Sequence, residues 1–268
     1  MPELPEVQTI INELKNKIIG KSITYFEEIE HIIIAISEIK SGEKITGLER
    51  RGKYLVIITT KHKIIVHLRM TGKMVYSEKL QSPNKYDRVL IHFTDGSYLA
   101  FNDMRKFGTM KIYPRKATVA EFDKLGVEPL SEFFSTQYLS KKLYKKKQPI
   151  KNALLDQRVV AGLGNIYASE ILFRAGIAPH RAAGDLSGEE VEKVVKITDE
   201  VLREAIAKNG TTVSNYRRVD DKSGEFQNFL RVYQKERCGC YEYGAPPYPQ
   251  SAVSADEPAI EIPRQLFE

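Results

Sequence analysis

The sequence predicts an α+β protein with an N-terminal antiparallel β-sandwich flanked by helices, then a helical part, then a tail of different composition. Three observations predict it. Val7, Ile10, Ile11, Leu14 and Ile18 recur at helical spacing. From about residue 22 to 113, short β-branched runs alternate with turn residues. After that the apolar positions return to helical spacing and hold it to about residue 208. A chain of 268 residues has room for two cores of roughly 100 to 150 residues each. The expected divisions are 1–130, 137–223 and a remnant at 224–268, the last partly disordered.

The first helix is expected to begin almost at residue 3, because Pro5 suits a first turn and Gly20 suits the position just past the end. Tyr54 to Thr60, Lys63 to His67 and Arg88 to Phe93 read as strands, with turns at Gly52, Asp95-Gly96 and Gly108. Thr118 and Glu121 have the spacing of a capping box for a short helix ending before Gly126, and Pro129 with its polar neighbours reads as a linker. Helices are expected over Tyr138 to Tyr144, Pro149 to Asp156, Ile166 to Ala175 and Glu189 to Lys208. The last opens on Ser187 and Glu190 and closes at Gly210. Beyond residue 237 Cys, Tyr, Pro, Ala and Glu dominate, a composition that predicts weak order.

There are 41 Lys and Arg against 35 Asp and Glu, a net charge of +6 that favours a polyanionic partner without requiring one. Lys141, Lys142, Lys145, Lys146 and Lys147 form one basic run, and Arg50, Arg51 and Lys53 another; by charge alone either is a solvated face. No run of eighteen apolar residues exists, and the N-terminus lacks the layout of a secretory signal, so a cytoplasmic protein is expected. Independently of those absences, it is expected to be a monomer associated with the nucleoid. Cys238 and Cys240 are too close for a loop-closing disulfide and too few for a four-thiolate metal site, which fits a reducing compartment.

The opening MPELPEV carries the sharpest chemistry. Once Met1 is removed, Pro2 becomes a free secondary amine; while Met1 remains, its nitrogen is an amide whose lone pair is delocalised into the carbonyl. A free α-amino group titrates near about 8, so a useful fraction is neutral and nucleophilic at cellular pH. Addition to a sugar C1′ with loss of the base gives an iminium ion, an electron sink that permits elimination of the neighbouring phosphates. Glu3 is held beside the amine by the chain itself, and Glu6 lies one turn further on. Taken alone, these residues fit an ordinary helix start better, since Pro and acids favour first turns.

What reverses that preference is spread along the chain. MPELPEV at 1–7, RRGKYL at 50–55, HLRMTG at 67–72, NDMRKFG at 102–108, LDQRVVAGLGNIYASEILFRAGIAP at 155–179 and GEFQNFLRVY at 224–233 resemble, in order, the signature blocks of the formamidopyrimidine-DNA glycosylases. The related endonuclease VIII branch usually opens with glycine where Leu4 stands. The resemblance implies a DNA repair enzyme that excises oxidised purines, 8-oxoguanine and formamidopyrimidines, from duplex DNA through a Pro2 Schiff base and then cleaves the abasic site by β,δ-elimination.

Residue by residue, it implies that Pro2 is the nucleophile, Glu3 the acid that helps open the sugar ring, and Lys53 a group near the strand break that acts on a phosphate or as an elimination acid. Met70, Arg105 and Phe107 match the three residues that fill the gap left by the flipped nucleotide. Flipping costs a few kcal/mol, which an apolar wedge and a guanidinium partly recover. Asn165, following Gly162-Leu163-Gly164, matches the phosphate-binding asparagine of a helix-two-turns-helix element and is expected to cap its helix. Lys147 matches a basic DNA contact upstream.

Three departures stand out. Residues 211–225, with Tyr216 among the expected DNA contacts, match the loop that closes over the flipped base, but Val213-Ser214-Asn215 and Asp221 replace its usual residues. Tyr86 stands where the family usually has a DNA-contacting histidine. The family also ends in a four-cysteine zinc finger, of which only Cys238 and Cys240 remain, so no zinc and no other cofactor is expected. A zincless hairpin, a disordered end and a reading-frame change all stay open for the tail. Its loss leaves two rivals open: a DNA-binding protein with little turnover, and a lyase acting on abasic sites alone.

Overall fold

The computed structural model describes residues 1–30, 33–34, 41–79, 82–211, 219 and 224–234. Tyr216 and the tail from residue 235, where a degenerate finger was expected, lie outside the described residues, as does most of the 211–225 loop.

The chain divides into two compact units, 1–124 with 205–227, and 125–204 with the residues from 228 on. The first opens with α1 (Leu4–Ile18), which Glu3 caps, with Pro5 in its first turn and Lys15 and Lys17 in its last. Among the described residues nine strands follow: β1 (Ile23–Glu28), β2 (Ile33–Ile34), β3 (Ile45–Arg51), β4 (Tyr54–Thr59), β5 (His62–His67), β6 (Gly72–Ser77), β7 (Asp87–Phe93), β8 (Tyr98–Asp103) and β9 (Thr109–Pro114). They form one sheet in the order β1-β7-β8-β6 and another in the order β2-β9-β5-β4-β3. Each of these pairings is antiparallel except that of the two-residue β2 on β9.

Both sheets and α1 contribute to one core, with Val7, Ile10, Leu14 and Ile18 packed among Leu55, Ile57, Ile64, Val66, Val89, Ile91, Leu99 and Phe101. Each such side chain contributes about 1.5–3 kcal/mol on burial, which fixes the head of α1 against the sheets.

The expected helix at 118–125 is absent: residues 120–124 form turns. Glu121, instead of closing a capping box, accepts hydrogen bonds from Lys111 Nζ at 2.6 Å and Tyr113 Oη at 2.7 Å on β9. The expected linker is tied down as well. Gly126 N donates to Gln157 O at 2.7 Å, Ala161 N donates to Val127 O at 3.0 Å, and Phe134 is buried.

The second unit holds α2 (Thr136–Leu143), α3 (Ile150–Leu155), α4 (Asn165–Ala175) and most of α5 (Gly188–Ala207). Ser135 caps α2 by accepting from Tyr138 N at 3.1 Å. At the head of α5, Ser187 N donates to Glu190 Oε2 at 2.8 Å and Glu190 N to Ser187 Oγ at 3.2 Å, a reciprocal capping box. No helix among the described residues is long and apolar enough to cross a membrane.

Candidate nucleic-acid interface and catalytic centre

The start of α1 is buried. Pro2, Glu3 and Glu6 are all buried, although Met1 is 40% exposed. Glu3 N donates to Glu6 Oε2 at 2.8 Å, and Thr211 N donates to Glu6 Oε1, also at 2.8 Å. Glu6 therefore pins the residue beside Pro2 to the first residue of the 211–225 loop. The neighbouring Gly210 has φ +74, and a Cβ there would lie 2.9 Å from Glu6 Oε1, so glycine meets both a conformational and a steric demand.

Lys53 follows the Gly52 turn between β3 and β4. Arg50 holds that turn against α1: its Nε donates to Gln8 Oε1 and its Nη1 to Gly52 O, both at 3.1 Å. Lys53 is only 7% exposed, not the surface lysine a hairpin position suggests. Burial pushes its ammonium below the ordinary value, while the Glu3 and Glu6 carboxylates pull it back up. His67 ends β5 and is also buried. Its burial, reinforced by the charges of Arg69 and Lys53, lowers it to about 3, so the ring is neutral at physiological pH. Nδ1 accepts from Arg69 N at 3.1 Å.

A second cluster lies at two turns of the same unit, between β5 and β6 and between β8 and β9. Met70 is 42% exposed and Phe107 54% exposed, with the Arg105 guanidinium 4.8 Å from the Phe107 ring centre. Tyr86 is half-buried; its carbonyl accepts from Asp103 N at 2.9 Å, which sets it at the base of the second turn. The bend expected at Gly108 falls at residues 104–106 instead. Gly108 is required because a Cβ would strike the Phe101 ring.

Asn165 and Lys147 belong to the second unit. Asn165 is the first residue of α4, not its cap: Gly164 occupies the N-cap position, after the turn made by Gly162 at φ +95. The helix ends at Gly176, whose left-handed φ of +69 closes it. Lys147 is exposed between α2 and α3, beside residues whose carbonyls accept from Ala183 N and Gly184 N at 2.9 Å.

Sequence reasoning missed three residues at these sites. His67 and Thr71 lie inside HLRMTG and Asp103 inside NDMRKFG, so their blocks were visible. Their burial and bonding depend on strand pairing and were not.

Fold and site together define a class: a β-sandwich unit with the head of the chain buried beside a lysine and two carboxylates, and a separate helix-two-turns-helix unit. The N-terminal domain of formamidopyrimidine-DNA glycosylase matches residues 1–110 and its H2TH domain residues 125–217. The Bacillus cereus formamidopyrimidine-DNA glycosylase (strain ATCC 14579) is 38% identical over 253 residues, covering 91% of this chain and 92% of that protein. A Wolbachia relative of the same name is 40% identical over 246 residues, covering 90% and 91%. Among solved structures, a complex between the Lactococcus lactis Fpg and an abasic site containing DNA superposes with a TM-score of 0.83 at 34% identity, covering 90% of this chain and 92% of that one. The MutM (Fpg) protein from Thermus thermophilus gives 0.82 at 34% identity, covering 90% of each. The chain belongs to the formamidopyrimidine-DNA glycosylase family.

Proposed function

We propose that the protein is a bifunctional DNA glycosylase and abasic-site lyase of base excision repair, acting in the cytoplasm on oxidised purines in duplex DNA. The observation that carries this reading is the buried head of the chain, where Glu6 holds Glu3, the residue beside Pro2, close to the desolvated Lys53. The relatives' names and the abasic-site DNA in the Lactococcus lactis complex support the substrate class.

In this reading the Pro2 amine, freed of Met1, forms a bond to C1′ as the glycosidic bond breaks and the base leaves with a proton. Glu3 delivers a proton to O4′ as the C1′–O4′ bond opens, leaving an iminium ion. Loss of a C2′ proton expels the 3′ phosphate, and a second elimination expels the 5′ phosphate. Lys53 acts at the break, on a phosphate or as a proton carrier. Met70, Arg105 and Phe107 fill the gap in the stack, while Tyr86, Lys147, Asn165 and Tyr216 hold DNA.

The family's zinc does not fit the residues present. Cys238 and Cys240 are separated by one residue and are the two cysteines of these 268 residues, so a four-thiolate finger lacks two of its ligands. No step here passes through a metal.

Borohydride reduction in the presence of an 8-oxoguanine duplex tests the reading. A covalent protein-DNA adduct that maps to Pro2, in protein shown by mass spectrometry to lack Met1, is the expected result. A duplex that shifts in a gel but gives neither adduct nor scission would leave only a binding protein, and adduct formation confined to abasic DNA would leave only a lyase.

A further inference from the structure

A wedge that fills a gap in stacked DNA has to be stiff, because a side chain free to swing aside fills nothing. Met70 and Phe107 come from different turns, so something has to hold those turns in fixed register. Asp103, at the end of β8 and only 1% exposed, touches both. Its Oδ1 accepts from the Thr71 hydroxyl of the first turn and from Arg105 N, at 3.2 Å, of the second. Its Oδ2 accepts from Gly108 N at 2.7 Å, where the second turn enters β9. Arg105 N also donates to Thr71 Oγ1 at 3.1 Å, so one hydroxyl and one carboxylate bridge the pair of turns.

The surroundings reinforce the clamp. Arg88, also buried, donates from Nε to Asp103 O at 2.8 Å and from Nη1 to Glu30 Oε1 at 2.8 Å, and Lys106 Nζ lies 2.7 Å from Glu30 Oε2. Each turn contains a non-glycine residue in the left-handed region, Arg69 at φ +52 and Lys106 at φ +59. Such residues are strained and persist where surrounding bonds over-determine them. A buried carboxylate is likewise costly unless its lone pairs are met by donors, as they are here.

We propose that Asp103, together with Thr71, is the positioning pair that locks the Met70 turn to the Arg105–Phe107 turn, so that it governs extrusion of a base from stacked duplex DNA and not the chemistry at Pro2. The inference rests on the repair reading above. It predicts that damage to the clamp shows only where a stack has to be opened and filled.

The test uses the full chain and two substrates: a duplex carrying 8-oxoguanine, and a single-stranded oligonucleotide carrying a preformed abasic site, which has no partner strand to interrogate. Thr71→Val removes the hydroxyl at nearly constant shape, and Asp103→Asn sets an amide NH₂ against one of the donors. Both are expected to slow single-turnover excision from the duplex by about tenfold or more, to leave single-strand nicking within about twofold of the parent, and to weaken discrimination between partner bases. Thr71→Ser, which restores the hydroxyl, is expected to recover most of the loss. Equal losses on both substrates, or unchanged excision from the duplex, would overturn the proposal while leaving the glycosylase assignment standing. A parent protein inert on both substrates would remove that assignment and this inference with it.

Discussion

The Glu6 carboxylate accepts a hydrogen bond from the Thr211 backbone amide at 2.8 Å across 205 residues of sequence. Its other oxygen holds Glu3 N, so one side chain joins the head of α1 to the root of the loop expected to cover the flipped base. In Glu6→Gln the amide can accept from only one of these donors and turns its NH₂ towards the other. The expected cost is about 1–3 kcal/mol in urea unfolding, accompanied by slower single-turnover base release. Unchanged stability and unchanged base release would show that this bridge is dispensable.

Lys53 offers a way to separate charge from proton transfer. Its ammonium is pushed down by burial against the pull of Glu3 and Glu6. The alkaline limb of the scission rate should therefore fall below the ordinary lysine value near about 10.4. Arginine keeps the charge but cannot give up a proton, so Lys53→Arg is expected to slow scission about 10²-fold and to abolish that limb. Scission at the parent rate would assign Lys53 to phosphate binding instead.

His67 makes stability depend on pH. Folding lowers it to about 3 from the ordinary 6.5, so between these pH values the unfolded chain binds more protons than the native one. This contribution is fully present above about pH 6.5 and is lost as the pH falls towards 3, at up to about 1.4 kcal/mol per unit. His67→Gln, which keeps an acceptor for Arg69 N, is expected to flatten the stability profile between about pH 4 and 6.5 in denaturant titrations. Parallel profiles for parent and variant would refute this.

Glu170 on α4 is fully buried and accepts from the backbone amides of Arg231, Val232 and Tyr233 at 2.9–3.0 Å. Removing one partner of such a buried, charge-assisted set costs about 3 kcal/mol or more. Glu170→Ala is thus expected to speed tryptic cleavage after Arg231 well before the rest of the second unit unfolds. Cleavage at the parent rate would mean that the segment is held by Leu230 and Val232, both buried, without the carboxylate.

Local pattern determined much of this protein. The 3.6-residue recurrence of Val7 to Ile18, the alternation of β-branched runs with turns, and the approximate extents of α2 to α5 all follow from side-chain periodicity and capping chemistry, which act over a few residues. The motif blocks placed most of the expected site residues, Pro2, Glu3, Lys53, Met70, Arg105, Phe107 and Asn165 among them, on definite stretches of sequence. Where local signals misled, a partner on a nearby strand had won, or a neighbour had taken the position. Glu121 turned to Lys111 and Tyr113 instead of capping a helix, and Gly164 took the cap position expected of Asn165.

Tertiary structure alone decided how charged groups are buried. That Lys53 sits desolvated near Glu3 and Glu6, that His67 is neutral, and that Asp103 fastens two turns that each cross from one sheet to the other all depend on which strands pair and in what register. Desolvation and hydrogen bonding between residues far apart in sequence leave no periodic trace in it, because the energy involved belongs to an enclosure that exists only after the sheets have closed over their core.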